Sequence, residues 1–188
     1  MLYVRGKADF YASTERALEE IDPTWRELPG VIIFGTHAFE EVGRKLEMIR
    51  HARENGVPFF GECGGLQLAV IEYARNVWKE DADTTELNPA TPCPVVTALP
   101  ALRVGIHRVE DRWESFWHRY SVNGDHLIRL SKDWEIVVSD GLAARMRLLN
   151  HPFFVGTQYH PSYNSSKDSP HPILVDFLKA CKRHASDL

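Results

Sequence analysis

The segment Phe59-Phe60-Gly61-Glu62-Cys63-Gly64-Gly65-Leu66-Gln67 constrains the fold more than any other stretch of the chain. An apolar run passes through glycine into a cysteine and then, with no room for a loop, into a helical apolar pattern. A cysteine in that position has to occupy a strained turn, and glycines on both sides relieve the clashes such a turn creates. The pattern is that of a nucleophile elbow. The helix that follows would aim backbone N–H groups and the positive end of its dipole at the sulfur, favouring thiolate. Glu62 works against the thiolate unless its carboxylate points away. The plainer alternative is a buried cysteine packing at a strand end. The flanking glycines favour the nucleophile.

The surroundings extend the same grammar. Val31-Ile32-Ile33-Phe34, ending at Gly35, reads as a strand buried on both faces. Glu40 to Asn55 carries apolar residues at Val42, Leu46, Ile49 and Ala52, a helical spacing closed by Gly56. Val57 to Phe60 is the next strand and Leu66 to Val77 the next helix, so short links imply a parallel sheet with right-handed crossovers. Residues 79–100, acidic and then rich in proline, read as an irregular surface excursion. Later strand patterns cover 102–106, 134–138, 145–149 and 153–158, and Pro172 to Arg183 closes the chain as an amphipathic helix. One α/β domain spanning residues 1–188 is expected.

Composition excludes several classes. In 188 residues, 22 basic against 26 acidic side chains leave a net charge of −4, which supplies no general attraction to nucleic acid or an anionic membrane. No apolar run is long enough for a bilayer span, and the first residues do not read as a signal peptide. The three cysteines are too scattered for a disulfide framework or a zinc knuckle, so no metal and no cofactor is expected, and the cytoplasm is the expected compartment. Cys93 and Cys181 lack flanking glycines and read as packing residues.

A cysteine nucleophile needs a base, usually histidine. Among nine histidines, His160 stands out because the strand pattern Phe153 to Gln158 delivers Tyr159-His160-Pro161 at its carboxyl end, where catalytic groups of open α/β folds collect. His151, His171 and His184 read as solvated or structural.

These residues carry a resemblance. Gly61 through Val77 resembles the cysteine elbow and helix of the glutaminase domain of CTP synthase, and His151 through Pro161 resembles that family's histidine strand. The similarity continues through Asp83-Thr84-Thr85-Glu86, Leu102-Arg103-Val104-Gly105, His118 through Asn123 and His171-Pro172. It covers most of the chain from about Val31 to Cys181 and points to the class I, triad-type glutamine amidotransferases. The fold it implies is an α/β, three-layer domain with a central mostly parallel sheet, shortened at the N-terminus. It also implies roles. Cys63 would attack a γ-carboxamide to form a γ-glutamyl thioester, with His160 as base and then acid. Thr36 and Gly64 would supply the oxyanion N–H groups. Glu86 would hold the substrate α-amino group and Arg119 its α-carboxylate, with Gly35, Gln67 and Tyr120 completing the substrate pocket.

The chain departs from that family in three places. The family's His-Pro-Glu is here His160-Pro161-Ser162, and the Ser162 hydroxyl can orient an imidazole but cannot stabilise imidazolium as a carboxylate does. Asp168 is a candidate substitute. The glycine-rich oxyanion loop is replaced by Phe34-Gly35-Thr36-His37-Ala38-Phe39, with His37 adding a polar group. The segment before Val31 is too short for the strand and connection the family fits there, and there is no phosphate-binding Gly-x-x-x-x-Gly-Lys loop. The leading expectation is hydrolysis of a γ-glutamyl amide, glutamine or a γ-glutamyl conjugate, to glutamate and ammonia or an amine. The alternatives are a catalytically impaired glutamyl-binding or regulatory protein and an ammonia-donating subunit of a separate synthetase. A homo-oligomer is compatible with all three.

Overall fold

In the computed structural model, which describes residues 1–7, 9–36 and 38–188, the apolar runs form the middle of a layered sheet. His37 lies outside the described residues. Helix α1 (Tyr11–Ile21) precedes β1 (Val31–Ile33), α2 (Val42–Asn55), β2 (Phe59–Glu62) and α3 (Gly64–Tyr73). Then come β3 (Ala82–Thr84), β4 (Cys93–Val109), β5 (Arg112–Val122), α4 (Leu127–Leu130), β6 (Trp134–Ser139), β7 (Leu142–Leu148), β8 (Phe154–Thr157) and α5 (Pro172–Ser186). The main sheet has the order β1-β2-β8-β7-β6: β1, β2 and β8 run parallel, while β7 and β6 join antiparallel. Near the first residue, Leu2 makes one isolated parallel bridge to Val31.

Strand periodicity sorts the core into two layers. Val31, Ile33 and Phe59 face α2 and α3 and join Ile49, Ala52 and Leu66. Ile32, Phe34 and Phe60 face the other way, onto Ala17 and Leu18 of α1 and Leu174, Phe177 and Leu178 of α5. Each fully buried aromatic or aliphatic side chain contributes on the order of 2–3 kcal/mol. Cys181 is buried in the second layer and Cys93 packs against the first. No helix among the described residues is long and apolar enough to cross a membrane.

The helices keep their expected places with shifted ends. Gly56 caps α2 in the left-handed region, at φ 66°. Helix α3 begins directly after Cys63 and passes into a widened π-type turn over Ala74–Trp78.

Residues 79–100 differ from the expectation of an irregular excursion. They contain β3, parallel to β4, and the first half of β4 itself. Proline did not prevent the strand, because Pro94 lies next to its start and Pro100 within a register irregularity between Ala98 and Arg103. Strand β5, its partner in the hairpin, carries an inverted pattern: Glu114 and His118 are buried while Trp113 and Trp117 are 65% and 50% exposed. That inversion hides the strand from a reading of apolar periodicity.

The segment before α1 is fastened by an ion pair with both side chains out of solvent. Lys45 Nζ of α2 donates to both Asp9 carboxylate oxygens, at 3.0 and 2.9 Å, and Asp9 also accepts from Gly6 N at 2.7 Å. Asp9 bridges Thr36, and Phe10 N donates to Gly35 O at 2.7 Å, so this pair fixes the loop after β1. Lys45→Met, which strands a buried carboxylate, is expected to lower stability by about 3–5 kcal/mol. Urea denaturation measures this, and Lys45→Met combined with Asp9→Leu should recover most of the loss.

Candidate active site

Cys63 occupies the turn between β2 and α3 with φ 49° and ψ −104°, a strained conformation for a residue bearing a side chain. The turn is tight enough that a Cβ on Gly65 would lie 2.3 Å from Ile33 O, and one on Gly61 would lie 2.7 Å from the Gly65 carbonyl carbon. Those two glycines let helix and sheet approach. Cys63 N donates to Thr157 O at 2.6 Å, tying the elbow to the end of β8. His160 lies just past that end, and its own N–H donates to Ser115 O of β5 at 2.8 Å.

The His160 ring is buried, stacked on Tyr163 at 5.3 Å and edge-on to Phe10 at 5.8 Å. Its Nδ1 contacts Glu62 Oε1 at 2.5 Å. The second oxygen of Glu62 accepts from Thr14 Oγ1 of α1 at 2.6 Å, and Glu62 is fully buried. Alternation along β2 turns Glu62 to the same face as Phe60, toward α1 and away from α3. Burial disfavours the charged ring, yet the neighbouring Cys63 sulfur and Glu62 carboxylate outweigh it and raise the His160 pKa well above the ordinary value. Nε2 has no formed hydrogen bond among the described residues.

Ser162, expected to orient the imidazole, is placed elsewhere. Its hydroxyl donates to Ser13 Oγ at 3.2 Å, and the imidazole nitrogen has Glu62 instead. Asp168 is exposed on the surface. Sequence reasoning treated Glu62 only as a hazard to the thiolate; the signal available was its shared strand face with Phe60. It also passed over Gln158, whose Nε2 donates to Cys63 Sγ at 3.4 Å and whose Oε1 accepts from Gln67 at 3.3 Å.

An open cleft of about 250 Å³ lies over the thiol, lined by Thr36, Cys63, Gly64, Gln67, Glu86, Arg119 and Tyr120 among others. Gly35 sits beneath it: a Cβ there would lie 3.1 Å from His160 Cε1 and 3.3 Å from Cys63 Cβ. Gln67 Nε2 donates to Tyr120 O at 2.8 Å, joining α3 to the end of β5. The Thr36 hydroxyl is turned into its own loop, donating to Ala38 O at 2.6 Å, and its methyl abuts Gly64. Glu86 is half-buried, and burial raises its carboxyl pKa. Among the described residues neither Glu86 nor Arg119 has an ion-pair partner.

His118, also lining the cleft, donates from Nδ1 to Tyr120 O at 2.9 Å and leaves a buried Nε2 without a partner among the described residues. Burial, with the Arg103, His160 and His107 charges, depresses its pKa to about 4, although the Tyr120 carbonyl opposes the shift. His171 and His151 are structural: the first bonds Glu114 Oε1 at 2.8 Å and caps α5, and the second bonds Ala52 O at 3.0 Å.

A cysteine elbow facing a histidine at the carboxyl ends of adjacent parallel strands fits the cysteine–histidine class of hydrolytic sites. The model of the Glutamine amidotransferase class-I family matches residues 3–180, and the chain belongs to that family. It is 35% identical over 192 residues to the CTP synthase of Sulfolobus acidocaldarius, covering 87% of this chain and 36% of that protein. The chain thus spans about a third of the length of the curated relatives it matches. Its fold is that of the Trypanosoma brucei CTPS glutaminase domain with bound acivicin, with a TM-score of 0.82 at 24% identity over 97% of this chain and 91% of that one. A putative GMP synthase subunit from Thermoplasma acidophilum aligns with a TM-score of 0.62 at 15% identity, over 98% and 94% of the two chains.

Two outcomes follow from the placement of His118 and Ser162. His118 binds its proton more weakly folded than unfolded, so its contribution falls as pH drops from 6.5 toward 4, by up to about 3 kcal/mol. Denaturation at stepped pH should show His118→Asn with a flatter slope across that window than the wild type. Ser162→Glu forces a larger, charged group into the buried contact with Ser13 and is expected to lower the Tm by several degrees, since overpacking alone costs about 1–3 kcal/mol.

Proposed function

We propose that the protein hydrolyses a γ-glutamyl amide through a Cys63 thioester. The observation that carries this reading is the pair Glu86 and Arg119, a carboxylate and a guanidinium that line the cleft over the thiol without ion-pair partners among the described residues. An α-amino acid head group complements both: its ammonium meets Glu86 and its carboxylate the fork of Arg119. An amide on the same side chain then has the thiol as its nearest nucleophile.

The chemistry uses groups already described. The Cys63 thiolate attacks the γ-carbonyl carbon, and the oxyanion formed is held by the backbone N–H groups of Thr36 and Gly64. The protonated His160 gives its proton to the leaving nitrogen as the C–N bond breaks, releasing ammonia or an amine and leaving the thioester. His160 then takes a proton from water attacking the thioester, and collapse of the adduct releases the γ-carboxyl group of glutamate and restores the Cys63 thiolate beside protonated His160. Gln158 donates to the sulfur and Gln67 holds Gln158, so the thiolate has a fixed donor besides the N-terminus of α3.

A second reading, donation of the ammonia to a separate synthetase, has its own support. The CTP synthase relatives are nearly three times as long as the matched region, and the Thermoplasma acidophilum protein of similar fold is described as one subunit of a GMP synthase. The first half-reaction is the same in both readings. Incubation with 6-diazo-5-oxo-norleucine followed by intact-mass and peptide analysis should give one adduct on Cys63, suppressed by glutamine. Cys63→Ala should abolish glutamate release while leaving the Tm within a few degrees of the wild type; substantial residual turnover would remove the thioester.

A further inference from the structure

We infer that Glu62 is the positioning carboxylate of this site, holding His160 from the residue immediately before the nucleophile. The inference concerns the same site as the proposed hydrolysis and rests on that reading only for its kinetic readout.

The geometry is specific. Glu62 Oε1 is 2.5 Å from His160 Nδ1 across 98 residues of sequence, and both side chains are buried. Because Nδ1 meets a carboxylate it must carry a proton, which fixes the ring orientation and leaves Nε2 as the nitrogen available to the thiol. Thr14 secures the other oxygen, so the carboxylate is held at both ends and cannot rotate away from the ring without losing a buried hydrogen bond.

Energetics favour a functional carboxylate over a filler. A buried ionised carboxylate facing a neutral ring and one hydroxyl would be poorly compensated, whereas facing an imidazolium it is paired. The pair therefore favours protonated His160, and with it the thiolate form of Cys63, which Gln158 and the α3 N-terminus also stabilise. The other candidates for this duty do not reach the ring: Ser162 bonds Ser13 and Asp168 is exposed. The titratable groups facing His160 are Glu62 and Cys63 at the end of β2, His118 of β5 and Tyr163 in the turn after His160.

The test uses Glu62→Gln, which keeps the size and an acceptor for Nδ1–H but removes the charge. Cys63 alkylation by iodoacetamide, followed by mass spectrometry from pH 5 to 10, reads the thiolate without any substrate. Glu62→Gln should react about tenfold or more slowly than the wild type at pH 6, with a changed dependence on pH. Glutaminase kcat should fall about a hundredfold or more with KM little changed, the direction seen when a triad carboxylate is removed. An unchanged alkylation profile with unchanged kcat would overturn the assignment of Glu62 and leave the hydrolase reading intact. A shifted profile in a protein that hydrolyses no γ-glutamyl amide would uphold Glu62 and overturn the hydrolase reading. If Glu62→Gln does not fold, ¹⁵N-histidine NMR of the wild type decides the matter. His160 protonated on Nδ1 at pH 8 supports the assignment, and a ring unprotonated at Nδ1 overturns it.

Discussion

The site depends on the parallel register of β2 against β8. Glu62 pairs with Thr157 and the Cys63 amide reaches the Thr157 carbonyl, so two segments distant in sequence present their last residues at one level. The sheet can hold that register because small residues stand where the layers come closest. Gly61 and Gly65 admit the helix, and a Cβ on Gly156 would lie 2.6 Å from Leu66 Cδ1. Larger residues at these points would push α3 away and carry the cysteine out of reach of the imidazole.

The hairpin of β4 and β5 completes what the sheet begins. Beside Val109 and Phe116 it buries Arg103, Glu114 and His118, while Leu102, Val104, Ile106, Trp113 and Trp117 stay exposed. Two of the buried charged groups are well partnered: Glu114 meets His171, Asn164 and Arg112, and Arg103 meets Ser139 and Asp140. These contacts tie the hairpin to α5 and to the β6–β7 turn. Its far end, from Trp117 to Tyr120, thereby stands at the mouth of the cleft as a fixed wall.

Much of this was legible in the chain itself. The strands around Val31 and Phe59, the helix stopped by Gly56, the elbow at Cys63 and the terminal helix all follow from apolar spacing and glycine placement. The residues proposed for the pocket, Gln67, Glu86, Arg119 and Tyr120, came from motif resemblance, and the fold brings them to one cleft. What stayed hidden had a physical cause in each case. Strand β5 inverts the usual pattern, β4 begins within a proline-rich stretch, and Gln158 acts through a contact that no local periodicity encodes. Glu62 was in full view beside the cysteine, but its effect depends on which face of a four-residue strand it occupies.

Placing an acid and a thiol on consecutive residues changes how the site can fail. When an acid shares a segment with its histidine, their alignment is local, and only the approach of the cysteine depends on the sheet. Here the seam between β2 and β8 sets how the imidazole meets both the carboxylate and the neighbouring sulfur. A small slip or tilt along that seam would separate the ring from carboxylate and sulfur in the same movement. Such a centre has no half-assembled condition. It is present or absent as a unit, and its presence reports on the integrity of the sheet itself.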